Sequence, residues 1–339
     1  ENTDRCTEDK IKEIFMNNNK PFYLENRSVV HKLTFGLPGS GISSVMEKEI
    51  TTIANNTKDD NIVVIDIYGG QFIEIVKKLG GVIITAKEIF GCFDEIVFGV
   101  LQESDNQNYC EVPDTITAIL EDLEHGYITP HQQSALYEAL DEMKKNTESN
   151  TINNFIQCLQ ELDNETASIL EVLKKLSIYE NSYNAMNKLN NNFVCFDLGD
   201  CRQELKNIAY LLALKMTKDK IWINGDKNIY TCLFAQISRA SLTEGICNYL
   251  SYLYKRTRQH WGLTSFYAIS FSAFLNEQTL SLLRNTNEFI FLKQNACDID
   301  KVSLYFDIPD EYLQFLRHAS AGHGVWTDGI QYDYVDYSK

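Results

Sequence analysis

A glycine-rich loop at residues 36–43 constrains the fold of this chain more than any other feature of its sequence. The loop reads Gly-Leu-Pro-Gly-Ser-Gly-Ile-Ser, follows a short apolar run at residues 33–35 and precedes a helical pattern at residues 43–53. A second apolar run, at residues 62–65, ends in Asp66. Short apolar runs that alternate with helices are typical of a parallel sheet covered by helices. The sequence therefore predicts an α/β fold with a mostly parallel central sheet.

The loop matches the phosphate-binding pattern Gly-x-x-x-x-Gly-Lys-Ser/Thr except at the lysine, where Ile42 stands. In such a P-loop the backbone N–H groups bind phosphate, a hydroxyl binds Mg²⁺, and the lysine neutralises the β- and γ-phosphates. Isoleucine carries no charge, so we expect weak binding of ATP or phosphate at most, and no Mg²⁺. An ordinary glycine turn is the alternative, and Lys32 or Lys48 would have to replace the lysine from an unfavourable position. The candidates for a vestigial phosphate loop are Gly36, Gly39, Ser40, Gly41, Ser43 and Ser44.

Two regions with apolar runs flank a long helical region. The later runs lack polar alternation, which is typical of strands covered on both faces. They lie at residues 82–84, 193–196, 221–223, 266–269 and 289–292. Between residues 112 and 188 the apolar residues recur at helical spacing. We therefore predict a sheet domain formed by residues 1–92 and 191–339, interrupted by an all-helical insertion at residues 93–190.

The charge, the cysteines and the lengths of the apolar stretches exclude some classes of protein. The 47 acidic and 31 basic residues give a net charge of −16, and such a surface repels phosphate backbones, so we expect no direct binding to nucleic acid. Nine cysteines without a Cys-x-x-Cys pair indicate reduced thiols in a cytoplasmic protein. No apolar stretch approaches the roughly 18 residues that a spanning helix needs. The chain begins at Glu1 rather than Met, and we expect it to be part of a longer protein.

The order of these elements resembles that of the conjugative type IV secretion ATPases, specifically the carboxy-terminal domain of the large ATPase of the mating channel. The resemblance covers nearly the whole chain. It rests on the loop at residues 36–43, the strand ending in Asp66, the Leu79-Gly80-Gly81 run, the helical insertion, the run at 221–223 and the Arg256-Thr257-Arg258 helix. It implies a RecA-like P-loop fold, oligomeric assembly, and a role in ATP-driven transfer of DNA or protein across the cell envelope.

The resemblance also implies that the catalytic motifs are degenerate in this chain. The family carries Asp-Glu after the run at 221–223, where this chain has Asn224 and Gly225. Asp226, one residue further on, is a weaker candidate for a replacement. The family also carries a Thr-Gln pair after the arginine helix, and counting from Arg258 places Ala268 and Ile269 there. Together with Ile42, these positions lack the groups that neutralise phosphate, bind metal and activate water.

Three further family features have counterparts. Of the family's Asp-Pro-Glu motif only Asp66 survives. The segment 322–324, Gly-His-Gly, resembles the closing glycine motif. Arg258 matches the arginine implied to act in trans on the nucleotide of a neighbouring subunit. The basic run at residues 255–258 has two other interpretations, a solvated helix face and a DNA contact.

We therefore expect a pseudo-ATPase that serves as a structural component of a conjugation or type IV secretion machine. Its partners would be copies of itself, an active ATPase homologue, or proteins of the membrane channel. It would lie in the cytoplasm at the inner face of the membrane, which it would reach only through those partners. Two alternatives remain: an active motor whose missing groups come from elsewhere, and a nucleotide-sensing subunit that binds without hydrolysing.

Overall fold

The computed structural model describes residues 31–57, 59–99, 111–145, 150–179, 185–238, 242–275 and 279–338. Its strands form one sheet. They are β1 His31–Phe35, β2 Asn61–Asp66, β3 Val82–Thr85, β4 Phe193–Asp197, β5 Thr231–Ile237, β6 Gly262–Ala268, β7 Glu288–Leu292, β8 His323–Thr327 and β9 Tyr332–Asp336.

The helices lie between these strands in the order expected of an α/β fold. They are α1 Ile42–Asn56, α2 Ile73–Lys78, α3 Ala86–Gly91, α4 Phe93–Phe98, α5 Glu111–Glu124, α6 Pro130–Lys145, α7 Ile152–Leu162, α8 Asn164–Leu170, α9 Ala185–Leu189, α10 Gln203–Asp226, α11 Glu244–Thr257, α12 Phe271–Phe274, α13 Leu280–Arg284, α14 Ala296–Phe306 and α15 Asp310–His318. Short 3₁₀ helices occupy Glu171–Tyr179 and Arg258–His260. None of the described helices is long and apolar enough to cross a membrane.

The sheet has the order β3-β4-β2-β5-β6-β1-β7-β8-β9. Strands β1 to β7 pair in parallel, whereas β8 and β9 pair antiparallel at one edge. Strand β1, which leads into the glycine loop, lies between β6 and β7. Strands from both sides of the helical region share this sheet, which confirms the predicted mostly parallel α/β fold.

The prediction of a strand at residues 221–223 is wrong, because this run belongs to the long helix α10. Most of α10 is buried, although Ile223 is 57% exposed, and periodicity cannot distinguish a short apolar run in such a helix from a buried strand. The strand in this part of the chain is β5, which was not among the predicted strands. The antiparallel strands β8 and β9 were not predicted either.

Both faces of the sheet are covered by apolar cores. Along β2, Val63 and Ile65 face one core, whereas Ile62 and Val64 face the other. The first core includes α10, α11 and the helices between β3 and β4, and the second includes α1 and α2. Burial on both sides explains why the central strands read as continuous apolar runs.

A buried charge cluster fixes α1 to the sheet and so positions the loop before it. The ammonium of Lys32 on β1 forms an ion pair with the carboxylate of Glu49 on α1. The hydroxyl of Tyr267 donates to Glu49 Oε2 at 2.5 Å, and that of Tyr337 donates to Oε1 at 3.1 Å. A buried ion pair with its remaining lone pairs satisfied in this way can hold one geometry of the helix.

Candidate phosphate-binding site

The loop after β1 is hydrogen-bonded to both strands that flank β1. The N–H of Gly36 donates to Ala268 O at the end of β6, at 3.2 Å. The N–H of Leu37 donates to Lys293 O just after β7, at 3.1 Å. These bonds place the loop at the carboxyl edge of the sheet, where parallel α/β proteins bind their ligands.

The glycines of the loop expose the amino end of α1. Gly39 and Gly41 have φ values of 80° and 94°, which L side chains rarely adopt. The first helical bond runs from Val45 N to Gly41 O at 2.9 Å, and no side chain caps the helix. The N–H groups of the first turn, at Ile42, Ser43 and Ser44, therefore have no acceptor within the helix. Such a turn is a ready site for an anion such as phosphate.

Ser40 closes the loop. Its N–H donates to Leu37 O at 2.9 Å, and its side chain is buried against Gly36, where a Cβ would collide with Ser40 Oγ. The Oγ atom has no hydrogen-bond partner among the described residues. The backbone oxygen of Ser40 accepts a bond from Gly322 N at 2.8 Å. The side chain of Ser40 therefore packs inside the loop, whereas Ser43 and Ser44 are exposed.

Ile42 lies over the start of the loop and packs at the border of the second core. A Cβ placed on Gly36 would lie 3.2 Å from its Cγ1 atom. The two lysines that might have replaced the missing charge are engaged elsewhere, because Lys32 pairs with Glu49 and Lys48 Nζ lies 5.8 Å from the ring centroid of Tyr337. An apolar side chain thus occupies the position where a P-loop has its lysine.

The exposed hydroxyl of the loop contacts one glutamine, which in turn contacts a second. Ser43 Oγ donates to Gln71 Oε1 at 3.0 Å, and Gln236 Nε2 donates to the same oxygen at 2.8 Å. Gln236 is buried near the end of β5, and its Oε1 has no partner among the described residues. The hydroxyl that would bind Mg²⁺ in a working P-loop therefore takes part in a neutral amide network.

Asp66, the surviving residue of the family's Asp-Pro-Glu motif, orders the loop after β2. Its Oδ1 accepts from Gly69 N and its Oδ2 from Gln71 N, both at 2.8 Å. Burial raises the pKa of Asp66 above its ordinary value, the two hydrogen bonds oppose that shift, and the charge of Asp197 adds to it. The carboxylate therefore positions the backbone of Gly69 and Gln71.

The carboxyl ends of β5 and β6 form an apolar cleft of about 450 Å³. Ala268 and Ile269 lie at the end of β6, as the count from Arg258 predicts, and Ile237 ends β5. None of the described residues that line this cleft carries a charge. They are Ile237, Leu242, Ala268, Ile269, Ser270, Ser272 and Phe274.

The positions assigned to the Asp-Glu motif lie at the amino ends of the parallel strands, whereas the glycine loop lies at their carboxyl ends. Asn224 and Gly225 belong to the last turn of α10, which leads into the start of β5. Because β5, β6 and β1 run parallel, the start of β5 and the end of β1 are at opposite edges. A Cβ on Gly225 would lie 2.5 Å from His260 O, so close backbone approach accounts for this glycine. Asn224 and Gly225 are thus not part of the glycine-loop site, and neither is Asp226.

The segment 322–324, which resembles a closing glycine motif in sequence, packs against the loop. A Cβ on Gly41 would lie 2.5 Å from Gly322 N. Gly322 O accepts from Tyr337 N at 2.7 Å, and His323 Nε2 lies 3.4 Å from Asp336 Oδ1. The carboxy-terminal hairpin is therefore attached directly to the turn that would contact phosphate.

The arginine assigned a role in trans begins the 3₁₀ helix after α11. The structure describes the backbone of Arg258 but not its side chain. Its neighbours Lys255 and Arg256 are exposed, as expected of a solvated helix face.

The loop offers groups that suit an anion, namely its uncapped N–H groups and positive-φ glycines. In the described part of the chain, however, no group of three His, Cys, Asp or Glu side chains could hold a metal ion. Lys293 is a basic residue beside the loop that was not predicted from the sequence, although it directly follows the apolar run at residues 289–292. It is exposed, and its backbone contacts the loop.

Solved structures provide the one informative comparison. No protein-family model matches this sequence, and no curated protein matches it. The structure of VirB4 of Thermoanaerobacter pseudethanolicus is similar with a TM-score of 0.72 and 18% identity, over 90% of this chain and 88% of that chain.

Structures of TrwB, a bacterial conjugative coupling protein, are similar as well. An unbound form has a TM-score of 0.59 and 12% identity, over 90% of this chain and 84% of that chain. A complex of TrwB with ADP and Mg²⁺ has a TM-score of 0.50 and 10% identity, over 91% of this chain and 78% of that chain. At these identities the comparison concerns the fold, and this chain has the RecA-like P-loop fold of VirB4 and TrwB.

Proposed function

We propose that this chain is a structural component of a conjugation or type IV secretion machine whose nucleotide site no longer hydrolyses ATP. The similarity to VirB4 and to a conjugative coupling protein extends over nine-tenths of the chain, which supports this setting. The proposal rests on a contrast between the backbone of the glycine loop and one of its side chains. The backbone geometry that binds phosphate is kept, while Ile42 replaces the charge that neutralises it.

The missing groups account for most of the catalytic power of a P-loop enzyme. A charge-assisted hydrogen bond to phosphate contributes about 1.5–3 kcal/mol, so loss of the lysine weakens binding by roughly tenfold to a hundredfold. Phosphoryl transfer also requires Mg²⁺ and a residue that orients the attacking water. In this chain β5 ends in Gln236 and Ile237, and β6 ends in Ala268. Neutral side chains at these positions provide no carboxylate oxygen to help bind Mg²⁺.

A phosphate-release assay with ATP and Mg²⁺ tests the proposal. We expect purified protein to release phosphate at the background rate, and the Ser43→Ala variant to behave identically. Release above background that disappears in the Ser43→Ala variant would show a working site and refute the proposal. An active P-loop ATPase in the same assay verifies the reagents.

A second candidate function is a nucleotide-sensing subunit that binds without hydrolysing. The uncapped first turn of α1 favours it, and so does the exposed Lys293, whose backbone oxygen accepts a bond from the loop. In that case ATP would raise the melting temperature of the protein, because a ligand bound only by the folded state stabilises it. The Lys293→Ala variant would reduce that shift. An unchanged melting temperature in saturating ATP would exclude the nucleotide-sensing function and favour the structural role.

The partners that fit this proposal are copies of the chain, an active ATPase homologue, or channel proteins at the inner face of the membrane. A subunit without turnover contributes to such an assembly through its surface, and Arg258 is the residue proposed to act on the site of a neighbour. Addition of the protein to an active homologue should raise the ATPase rate of that homologue. The Arg258→Ala variant should not, whereas the nearby Lys255→Ala variant should.

A further inference from the structure

A cavity of about 250 Å³ lies between α5, α10 and α11, away from the glycine loop. It is built where two helix backbones touch, because a Cβ on Gly245 of α11 would collide with the carbonyl oxygen of Ala118 on α5. Tyr249 and Tyr252 follow Gly245 at helical spacing and line the same cavity. The other polar groups in its wall include Asp114, Glu121, Lys218 and Asn248.

Glu121 is the unusual member of this wall. It is 7% exposed, and its carboxylate forms no hydrogen bond or ion pair with any residue that the structure describes. Burial, with a smaller contribution from the charge of Glu244, raises the pKa of Glu121 to about 7. A buried carboxylate without a partner is destabilising, so such groups are normally paired or bind a cation.

The basic residue in the wall does not meet this need. Lys218 Nζ lies 3.3 Å from Asp219 Oδ1 and 5.6 Å from the ring centroid of Trp222, on its own helix. These two contacts of Lys218 lie within α10 and do not involve Glu121. Glu121 lines a cavity whose wall also holds the rings of Tyr249 and Tyr252 and the charged residues Asp114 and Lys218.

The chemistry of the wall favours an organic cation over a metal ion. The described residues contain no group of three His, Cys, Asp or Glu side chains that could hold a metal. Tyrosine rings, in contrast, attract ammonium and guanidinium groups through their faces. We propose that this cavity binds a small organic amine or guanidine, whose charge pairs with Glu121 while its chain lies against Tyr249 and Tyr252. The proposal does not depend on the function of the glycine loop.

Calorimetric titration with putrescine and with agmatine tests this assignment on the whole chain. At constant ionic strength we expect saturable binding of at least one of them, and none of 1,4-butanediol, which has a similar length but no charge. Glu121→Gln should weaken binding about tenfold or more, because it removes a charge-assisted contact without changing the size of the side chain. Tyr252→Ala should weaken it less, since Tyr252 is 40% exposed.

The matched control is Glu165→Gln, which removes one negative charge from an exposed position on α8 and should leave binding unchanged. Circular dichroism of each variant verifies the fold, and Glu121→Asp provides a second variant that keeps the charge but shortens its reach. Absence of saturable amine binding would overturn the proposal. Equal affinity in the wild type and in Glu121→Gln, or equal binding of butanediol, would overturn it as well.

Discussion

Ser43 Oγ donates a hydrogen bond to Gln71 Oε1, 3.0 Å away, so the hydroxyl of the glycine loop is bound to a neutral amide. Gln71 is itself positioned by Asp66, whose Oδ2 accepts from the Gln71 N–H at 2.8 Å. A buried carboxylate at the end of β2 thus acts on the loop only through the backbone of Gln71. The loop keeps its shape and its N–H groups, while its hydroxyl is bound to a neutral amide and Ile42 stands at the position of the lysine.

Restoration of the lysine should restore affinity without restoring turnover. In the Ile42→Lys variant we expect the affinity for ATP or pyrophosphate to rise roughly tenfold to a hundredfold, from one charge-assisted contact. Calorimetric titration measures it, and Ile42→Met is the control for size. Phosphate release should stay at background, because Gln236 and Ala268 still leave no carboxylate at the ends of β5 and β6. An affinity equal to that of the methionine variant would show that the loop does not present its N–H groups to phosphate.

Substitution of two glycines in the loop distinguishes the cost of backbone strain from the cost of a close contact. Gly39→Ala and Gly41→Ala both force an alanine to a positive φ, which costs about 1–2 kcal/mol. Only at Gly41 would the new Cβ also meet Gly322 N, at 2.5 Å, whereas nothing lies within 4 Å at Gly39. We therefore expect urea denaturation to show a clearly larger loss of stability for Gly41→Ala. Equal losses would contradict the close packing of the segment 322–324 on the loop.

Removal of Glu49 should destabilise the protein strongly. The Lys32 ammonium would be left buried without the carboxylate that it pairs with, and breaking such a pair costs about 3–5 kcal/mol. Denaturant unfolding of Glu49→Leu measures the loss, and Lys32→Met combined with Glu49→Leu should recover much of it, since replacement of both charges is often tolerated. Tyr337→Phe, which removes one hydrogen bond to Glu49, should cost only about 1 kcal/mol. A double variant as unstable as Glu49→Leu would contradict this account.

The raised pKa of Glu121 predicts a specific dependence of stability on pH. Its pKa rises from 4.5 to about 7 on folding, so between these values the folded state binds the proton more tightly than the unfolded state. This group therefore lowers stability as pH rises from about 4.5 to 7, by at most about 3 kcal/mol at roughly 1.4 kcal/mol per pKa unit. Other charges nearby are Glu244 and Lys218 on the facing helices.

Substitution of Glu121 by glutamine isolates that contribution. Without added amine, Glu121→Gln should be more stable than the wild type at pH 8, and the difference should be smaller at pH 5. Urea denaturation at the two pH values measures the two differences. Glu165→Gln is exposed and should show nearly the same difference at both. A constant difference for Glu121→Gln would mean that its carboxylate is not desolvated in the folded state.

The strand predicted at residues 221–223 is in fact the carboxyl end of helix α10. Residues 221–223 are apolar, as a buried strand would be, and the family motif was therefore placed on Asn224 and Gly225. A run of three apolar residues is too short to show a period, so it fits a helix as well as a strand. The true strand, β5, was missed, and with it Gln236, which contacts Gln71 beside the loop.

The sequence by itself determined the local features of this protein. The glycine loop between an apolar run and a helix, the continuous apolar strands and the absence of a lysine at position 42 all follow from neighbouring residues, because turns, periodicity and charge are local properties. Only the tertiary structure decided which distant residues meet at the loop. Gln71, Gln236, Lys293 and Gly322 are far apart in the chain, and the order of parallel strands, set by packing of the whole core, brings them to one edge of the sheet.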